Sequence, residues 1–530
     1  MDDNLATLLE AVADEAGDRV AVAHGDLTRT WRALDDRAAR LAGWFAAQGL
    51  GRGARIAVAL HNGPEYVETV LAAMKLRATA VNVNHRYQDR ELVDLLTRSG
   101  AGALVHDAAL AEKVTGVRDR LPPMPMLAAG ADYEAALSAT PPAHRVERSG
   151  EDEWLTFTGG TTGAPKGVLT THRWLLEVVA DNGYRPRGVA MPADLSELRA
   201  TTRALLDGPP EVTLVAPPLM HATGLYTTLG CLLAAGTVVF LPSRSFDPDE
   251  LAERIGRHRV TTVCLVGDAF SVPLADALDR AAEHGRPYTV DSVRRIMSAG
   301  VMWSAETKKR LLEHFDAELE DLVAASEGGP FARSVTTRGD DPVTGRFTLL
   351  PGCRVVDEDG RDVPTGQAGS LAAPTRDDIG YLDDPTETAR AFRVIDGVRH
   401  VVPGDEATVE PGDAVTLRGR SSRIINTGGE KVFAEEVEQA VGGHPDVEDV
   451  NVIGAPDPRW GHRVVAVIAP RSGAEPTVES VRSHVRGDLA DHKCPRQVVL
   501  VEKIKHGPGG KPDLDWLREV AQRQADSGGS

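Results

Sequence analysis

TFTGGTTGAPKGV, Thr156 to Val168, gathers glycine, threonine, one proline and a single lysine into one run. Clusters of this kind are ordinarily turns. The flanks argue for more. EWLTF before it is apolar and predicts a buried strand. HRWLLEVVADN after it repeats Trp174, Leu175, Val178 and Val179 at helical spacing. A strand that runs into a glycine-rich loop is where backbone amides hold phosphate. Glycine lets the main chain come close to a ligand. Thr158, Thr161 and Thr162 add hydroxyl donors, and Lys166 adds a mobile point charge. The run is not a P-loop, because Gly167 follows the lysine where that loop has Ser or Thr. It also lacks the G-x-G-x-x-G fingerprint of dinucleotide folds. It predicts a phosphate ligand held outside the usual nucleotide-binding folds.

Working outward, residues 1–150 alternate helical and strand patterns: RTWRALDDRAARLAGWFAAQGL, RIAVAL, EYVETVLAAMKLRA, TAVNVN. This is the punctuation of a layered α/β fold. LVAPPLMHATG, TVVFLP, RVTTVCLVGDAF, VRRIMSAGVMWS and DLVAASEGGP continue it as strands that run into small residues. Such strand ends carry binding loops in α/β folds. From 345 to 418, short strands separated by DEDG, PTGQAG and EPGD predict a small β subdomain. Beyond GRSSR, the pattern predicts a compact α+β domain. The expected division is therefore 1–419 and 420–530, with the tail QADSGGS disordered.

The 530 residues exceed one core, and the length suggests roughly three or four domain-sized units. A net charge of −19 argues against a nucleic-acid footprint, which wants a basic face. Cys231, Cys264, Cys353 and Cys494 lie far apart without a C-x-x-C pair, so buried free thiols are expected. The N-terminus lacks a basic segment followed by an apolar one, and no run of about 18 apolar residues occurs. A cytoplasmic enzyme without a membrane span is expected.

Six ordered segments now carry a resemblance. They are the loop Thr158–Gly167, HATG at 221–224, SEG at 326–328, PGDEATVE at 403–410, GRSSRIINTGGEKVFAEEVE at 419–438 and GPGGKPD at 507–513. Their order resembles the adenylate-forming superfamily of acyl-CoA synthetases, aryl-CoA ligases, luciferases and peptide-synthetase adenylation domains. GGEKVFAEEVE and GDAF look most like bacterial fatty-acid-type acyl-CoA synthetases. The resemblance implies an ATP- and Mg2+-dependent carboxylate–CoA ligase that works through an acyl-adenylate on a fatty or aryl acid.

By the same resemblance, Thr158, Gly159, Gly160, Thr161, Thr162, Gly163 and Lys166 wrap the phosphates of ATP. Glu327 holds magnesium with Thr162, and Ser326 keeps a hydroxyl beside it. Asp405 accepts the ribose hydroxyls and Arg420 contacts ribose or phosphate. Lys511 stabilises the adenylation transition state. A small C-terminal domain then turns on a hinge at Ser422 and brings Gly428 and Gly429 to the thiol. His221 gates or lines the acyl pocket, with Gly224, Gly267, Asp268, Ala299, Gly300 and Ser326 as further pocket candidates. Asp268 has two readings: a binder of a substrate amino group, or a helix cap. Val323 stands where the family commonly has an aromatic that stacks on adenine, so that stacking is lost.

Two alternatives share the adenylation half. One loads a carrier-protein thiol, and the other activates nitrite for reaction with an aromatic amine. A non-catalytic binding homologue is a third, against which the joint presence of Lys511, Glu327 and Asp405 counts.

Overall fold

The computed structural model describes residues 4–158, 165–301, 303–420, 424–505 and 513–527. For 418–420, 424, 435, 439, 515 and 524–527, only the backbone is described. The threonine- and glycine-rich run joins two paired strands. Glu153–Thr158 runs antiparallel to Lys166–Thr171, with Thr158 opposite Lys166.

Among the described residues, the largest sheet has 15 strands. Its parallel half runs Glu318–Ala325, Arg295–Ala299, Thr262–Leu265, Val212–Val215, Thr237–Phe240 and Val20–His24. Alternate residues of these strands enter different cores, as the strand period of two requires. Val215, Val238 and Phe240 pack with Leu225, Leu229 and Val179 of the helices Ala222–Leu233 and His172–Tyr184. Leu214, Val239, Val263 and Ile296 pack with Leu251, Leu274 and Leu311 of the helices on the other face. Covering both faces explains why apolar residues occur at both alternating sets of positions in these strands.

The short strands expected over 345–418 are present, but their sheet is continuous with the large one. Gly329–Thr336 pairs with Glu318–Ala325 on one side and with Arg346–Leu349 on the other. Its second edge is paired rather than left with open N–H and C=O groups. The ladder goes on through Ala414–Arg420 and Asp405–Val409. A four-stranded parallel sheet, ordered Thr79–Asn82, Arg55–Ala59, Ala103–His106 and Met126–Ala128, lies beside the large one.

A small C-terminal domain has its own five-stranded sheet, beginning at Ile424–Thr427. In its strand Gly461–Pro470, Val464, Ala466 and Ile468 face the helices Ala434–Gly442 and Val478–Val485. Val465 and Val467 face the last helix, Leu514–Ser527. That helix runs on through Ser527, so part of the tail expected to be disordered is helical. Elongating a helix adds one backbone hydrogen bond for each residue fixed. Cys231, Cys264 and Cys494 are buried and Cys353 is half-buried, all as free thiols. No helix among the described residues is long and apolar enough to cross a membrane.

Candidate functional site

A cavity of about 900 Å³ follows the C-terminal ends of the parallel strands, beneath the small domain. The residues just past the strand ends line it: Ala216, Val266, Gly300 and Ser326. This is the edge at which open α/β sheets bind ligands. Thr158, His221, Ala299, Gly300, Ser326, Gly428 and Gly429 all face the same space, although 271 positions separate the first from the last.

On one flank, Lys166 is not the mobile charge that the sequence suggests. Its ammonium is buried and donates to Glu387 at 2.6 Å, and it lies over the Tyr381 ring, 5.2 Å from the centroid. Burying a lysine is tolerable only when it is paired, and Glu387 supplies the pair. The Lys166 ammonium in turn helps hold the Glu387 carboxyl below its ordinary range, chiefly through their hydrogen bond. The Tyr381 hydroxyl donates to Glu327 Oε1 at 2.9 Å. Lys166 and Glu327 thus meet on one tyrosine. Asp405 and Arg420 face each other across the antiparallel pair of strands that they begin and end. Gly159, Gly160, Thr161, Thr162, Gly163, Ser422 and Lys511 lie outside the described residues.

His221 opens the helix Ala222–Leu233 and is half-exposed to the cavity, so it is not a buried core histidine. The loop that carries it is held by Asn82. This amide donates to the Phe157 and Met220 carbonyls at 2.8 and 2.7 Å and accepts from the Phe157 N–H at 2.7 Å. One side chain therefore fixes the spacing of the hairpin and the His221 loop. Across the cavity, the His221 Nε2 stands 3.5 Å from Glu430 of the small domain. Glu430 is buried and also receives Arg86 at 2.9 Å and Asn84 at 3.4 Å. Burial pushes its carboxyl up, but His221, His492 and Arg86 outweigh that and leave it well below the usual carboxylate range.

Farther along the wall, Asp107 Oδ2 and His61 Nδ1 are 2.8 Å apart. The His61 ring lies against His85, with centroids 4.1 Å apart. Burial holds His85 neutral, its pKa lowered to about 3. The turn that faces all this requires glycine. Gly428 and Gly429 have φ of +57° and +86°, and a Cβ at Gly428 would stand 2.7 Å from the Trp460 ring.

Several pocket candidates sit elsewhere. Gly224 is pressed against the chain: a Cβ there would lie 2.7 Å from the Pro218 carbonyl, so glycine serves close packing rather than a pocket wall. The Gly267 N–H donates to Ser298 Oγ at 2.7 Å and turns the strand end into the helix Gly267–Glu283. Asp268 accepts from the Ser304 N–H at 3.1 Å, which satisfies a backbone donor at the start of the helix Ala305–His314. This contact supports the capping reading. Val323 packs against the main apolar core, and its neighbours Leu322 and Ala324 line the cavity instead, because strand residues alternate.

Comparison with known proteins agrees with this architecture. Residues 9–374 match the AMP-binding enzyme family, and residues 436–511 match the AMP-binding enzyme C-terminal domain. The chain belongs to the AMP-binding enzyme family. A medium/long-chain-fatty-acid–CoA/3-oxocholest-4-en-26-oate–CoA ligase of Mycolicibacterium smegmatis is 35% identical to it, over 98% of this chain and 97% of that protein. A 3-oxocholest-4-en-26-oate–CoA ligase of Rhodococcus rhodochrous is 33% identical, over 97% of this chain and 95% of that protein. Among solved structures, the amide bond synthetase McbA from Marinactinospora thermotolerans aligns with a TM-score of 0.80 at 25% identity. That alignment covers 97% of this chain and 99% of McbA.

The sequence reading of this AMP-binding enzyme missed Asn82, Tyr381, Glu387, Glu430 and the pair His61–Asp107. GYLDDPTET around Tyr381 and Glu387 is the one stretch that offered a signal, a polar, turn-rich run with a lone aromatic. Glu430 lies in the GGEK segment but nothing there singles it out, and Asn82, His61 and Asp107 are single residues at strand ends and in loops.

Proposed function

We propose that this chain is an ATP-dependent carboxylate–CoA ligase that forms an acyl-adenylate and passes the acyl group to the CoA thiol. One observation carries this. The small domain's Gly428–Gly429 turn faces the same cavity as Thr158 and Ser326, at the C-terminal edge of a parallel sheet. A site divided between two domains suits two half-reactions in sequence. The relatives' names, which are those of fatty-acid and steroid-acid CoA ligases, support the same reading.

In the first half-reaction a carboxylate attacks the α-phosphorus of ATP, and pyrophosphate leaves. Anion must meet anion, so the residues' task is neutralisation and alignment. Thr158, the adjoining Gly159–Gly163 run and Lys166 hold the phosphates, and the arriving triphosphate competes with Glu387 for the Lys166 ammonium. Asp405 takes the ribose hydroxyls, with Arg420 opposite. Lys511 approaches from the small domain. The donors at Glu327 fit magnesium: it is a hard carboxylate with one oxygen bound by Tyr381 and the other left over, and Mg2+ takes one or two carboxylates together with phosphate oxygens. Glu327 and Thr162 would hold the ion, which supplies charge neutralisation on the phosphates.

In the second half-reaction the thiol sulfur bonds to the acyl carbon, the bond from that carbon to the phosphate oxygen breaks, AMP leaves, and the thiol proton passes to solvent. His221 lines the path, and the Gly428–Gly429 turn leaves room for the pantetheine arm. We set the domain junction at 419/420, at the C-terminal end of the strand Ala414–Arg420 of the large sheet, shortly before Ile424, where the small sheet begins. The acid is bulky and apolar, since Phe157, Val178, Val266, Met297 and Leu322 all face the cavity.

The test supplies ATP, Mg2+ and CoA with octanoate, palmitate, a C27 steroid acid and benzoate, and measures AMP and acyl-CoA. CoA-dependent thioester from an apolar acid is expected. Pyrophosphate release without thioester, turning to product only with an amine or with nitrite and an arylamine, overturns the CoA assignment.

A further inference from the structure

Among the described residues, three ion pairs cross from one short strip of the large domain, residues 84–91, to the small domain. Arg86 reaches Glu430 at 2.9 Å, Arg90 reaches Asp488 at 3.8 Å, and Glu91 bonds Lys493. The signs are reciprocal, since the strip offers both cations and an anion. The Arg90 pair is exposed, which makes it a weak tie. The Glu91 pair is buried on both sides, with side-chain exposures of 8% and 6%.

Glu91 is fixed before the small domain arrives. Its Oε2 accepts the Gln88 N–H at 2.8 Å in a capping box at the start of the helix Asp89–Arg98. That leaves Oε1 for Lys493. On the small-domain side, Lys493 is held at 2.8 Å by Glu436 and lies over the Tyr87 ring, 5.4 Å from the centroid. Two carboxylates thus share one buried ammonium, and Glu436 Oε2 is buried without a hydrogen-bond partner among the described residues. A cluster of this composition is a poor permanent anchor, because buried charge in excess of its partners costs stability. It suits a contact that is made and released. Each partner also has a bond within its own domain, Lys493 to Glu436 and Glu91 to the Gln88 N–H.

We propose that Lys493 and Glu91 are positioning residues for the second half-reaction: their pairing holds the small domain in the orientation that turns Gly428–Gly429 toward the cavity. This rests on the two-step ligase reading above. Neither side chain touches the reacting atoms. The pair acts on the equilibrium between domain orientations, so the adenylation step runs without it.

The test is a charge exchange read in both half-reactions. Acyl-dependent pyrophosphate exchange reports the first, and single-turnover transfer from preformed acyl-adenylate to CoA reports the second. Glu91→Lys and Lys493→Glu should each lower transfer about tenfold or more while exchange stays within about twofold. The double variant E91K/K493E should recover part of the loss, because it restores an opposite-charge pair across the junction, although Lys at 91 loses the helix cap and Glu at 493 stands beside Glu436. Glu91→Gln, which keeps an oxygen for the helix cap, should fall between wild type and Glu91→Lys, and a thermal melt of each variant guards against unfolding. Equal loss of both half-reactions, or no recovery in a folded double variant, overturns the proposal. If the wild-type chain makes adenylate but no thioester from any acid, the ligase reading fails instead, and that outcome is distinguishable because it precedes any substitution.

Discussion

Tyr381 joins two residues that the sequence alone gave separate roles. Its ring carries the Lys166 ammonium and its hydroxyl bonds Glu327. Tyr381→Phe keeps the ring and removes a hydrogen bond to a carboxylate, worth about 1.5–3 kcal/mol when one partner is charged. A loss of about tenfold or more in kcat/KM for ATP is expected, measured by pyrophosphate exchange, and an unchanged value would separate Tyr381 from the nucleotide site. Glu327→Gln replaces a charged oxygen with an amide at a hard-cation site. The magnesium concentration needed for half-maximal exchange should rise; if it does not, Glu327 is not a ligand. Lys511→Ala should slow adenylate formation by about two to four decades, ~3–5 kcal/mol of transition-state stabilisation, and leave transfer from supplied acyl-adenylate nearly intact. A parallel fall in both steps counts against its assignment. At this scale the sequence carried residue types but not partners. TGGTTGAPKG pointed to a phosphate loop, but nothing local linked Lys166 to Glu387, 221 positions away.

The first turn of the helix His172–Tyr184 secures the N-terminal helix Leu5–Ala16. His172 is fully buried; its Nδ1 accepts the Leu5 N–H at 3.3 Å, and its Nε2 is buried without a partner among the described residues. Burial lowers its pKa to about 4. The folded state therefore prefers neutral imidazole, while the unfolded chain takes up a proton near pH 6.5. The stabilisation is full above that pH and is lost as the pH falls toward about 4, by on the order of 3 kcal/mol. His492 in the small domain, lowered to about 4 by burial, acts with the same sign. Melting temperature should fall steeply between pH 6.5 and 4.5, with a shallower slope in His172→Gln. An equal slope would assign the acid lability to other groups. The helix itself was legible, because Trp174, Leu175 and Val179 repeat at its period and all three are buried. That a histidine in its first turn anchors another helix was not, because Leu5 and His172 are 167 positions apart.

The large and small domains share one cavity, and substitutions should divide its reactions accordingly. Gly429→Leu puts a branched side chain on a residue at φ +86°, facing the cavity where the pantetheine arm is proposed to enter. The left-handed conformation alone costs roughly 1–2 kcal/mol for a non-glycine residue, so folding is checked by a thermal melt. Thioester formation should drop by about two orders of magnitude while pyrophosphate exchange stays close to wild type, the signature of an interaction made in one step only. Undiminished product formation would remove CoA from the path and favour an amine acceptor. The layered α/β body and the small α+β domain were foreseeable from alternating periodicities. The joining of the 345–418 strands to the main sheet was not, because pairing an edge strand depends on what lies beside it in space.

By itself the sequence determined what is local: the strand and helix periods, the glycines at the Gly428–Gly429 turn, and the ordered segments that carry the family. Tertiary structure alone decided what needs two distant segments. It withdrew Gly224, Gly267 and Asp268 from the pocket, gave Lys166 its carboxylate, and set Glu430 against Arg86 and His221. The physical reason is range. Backbone periodicity and turn chemistry are fixed by neighbours within a few residues, whereas burial and ion pairing depend on which surfaces packing brings together.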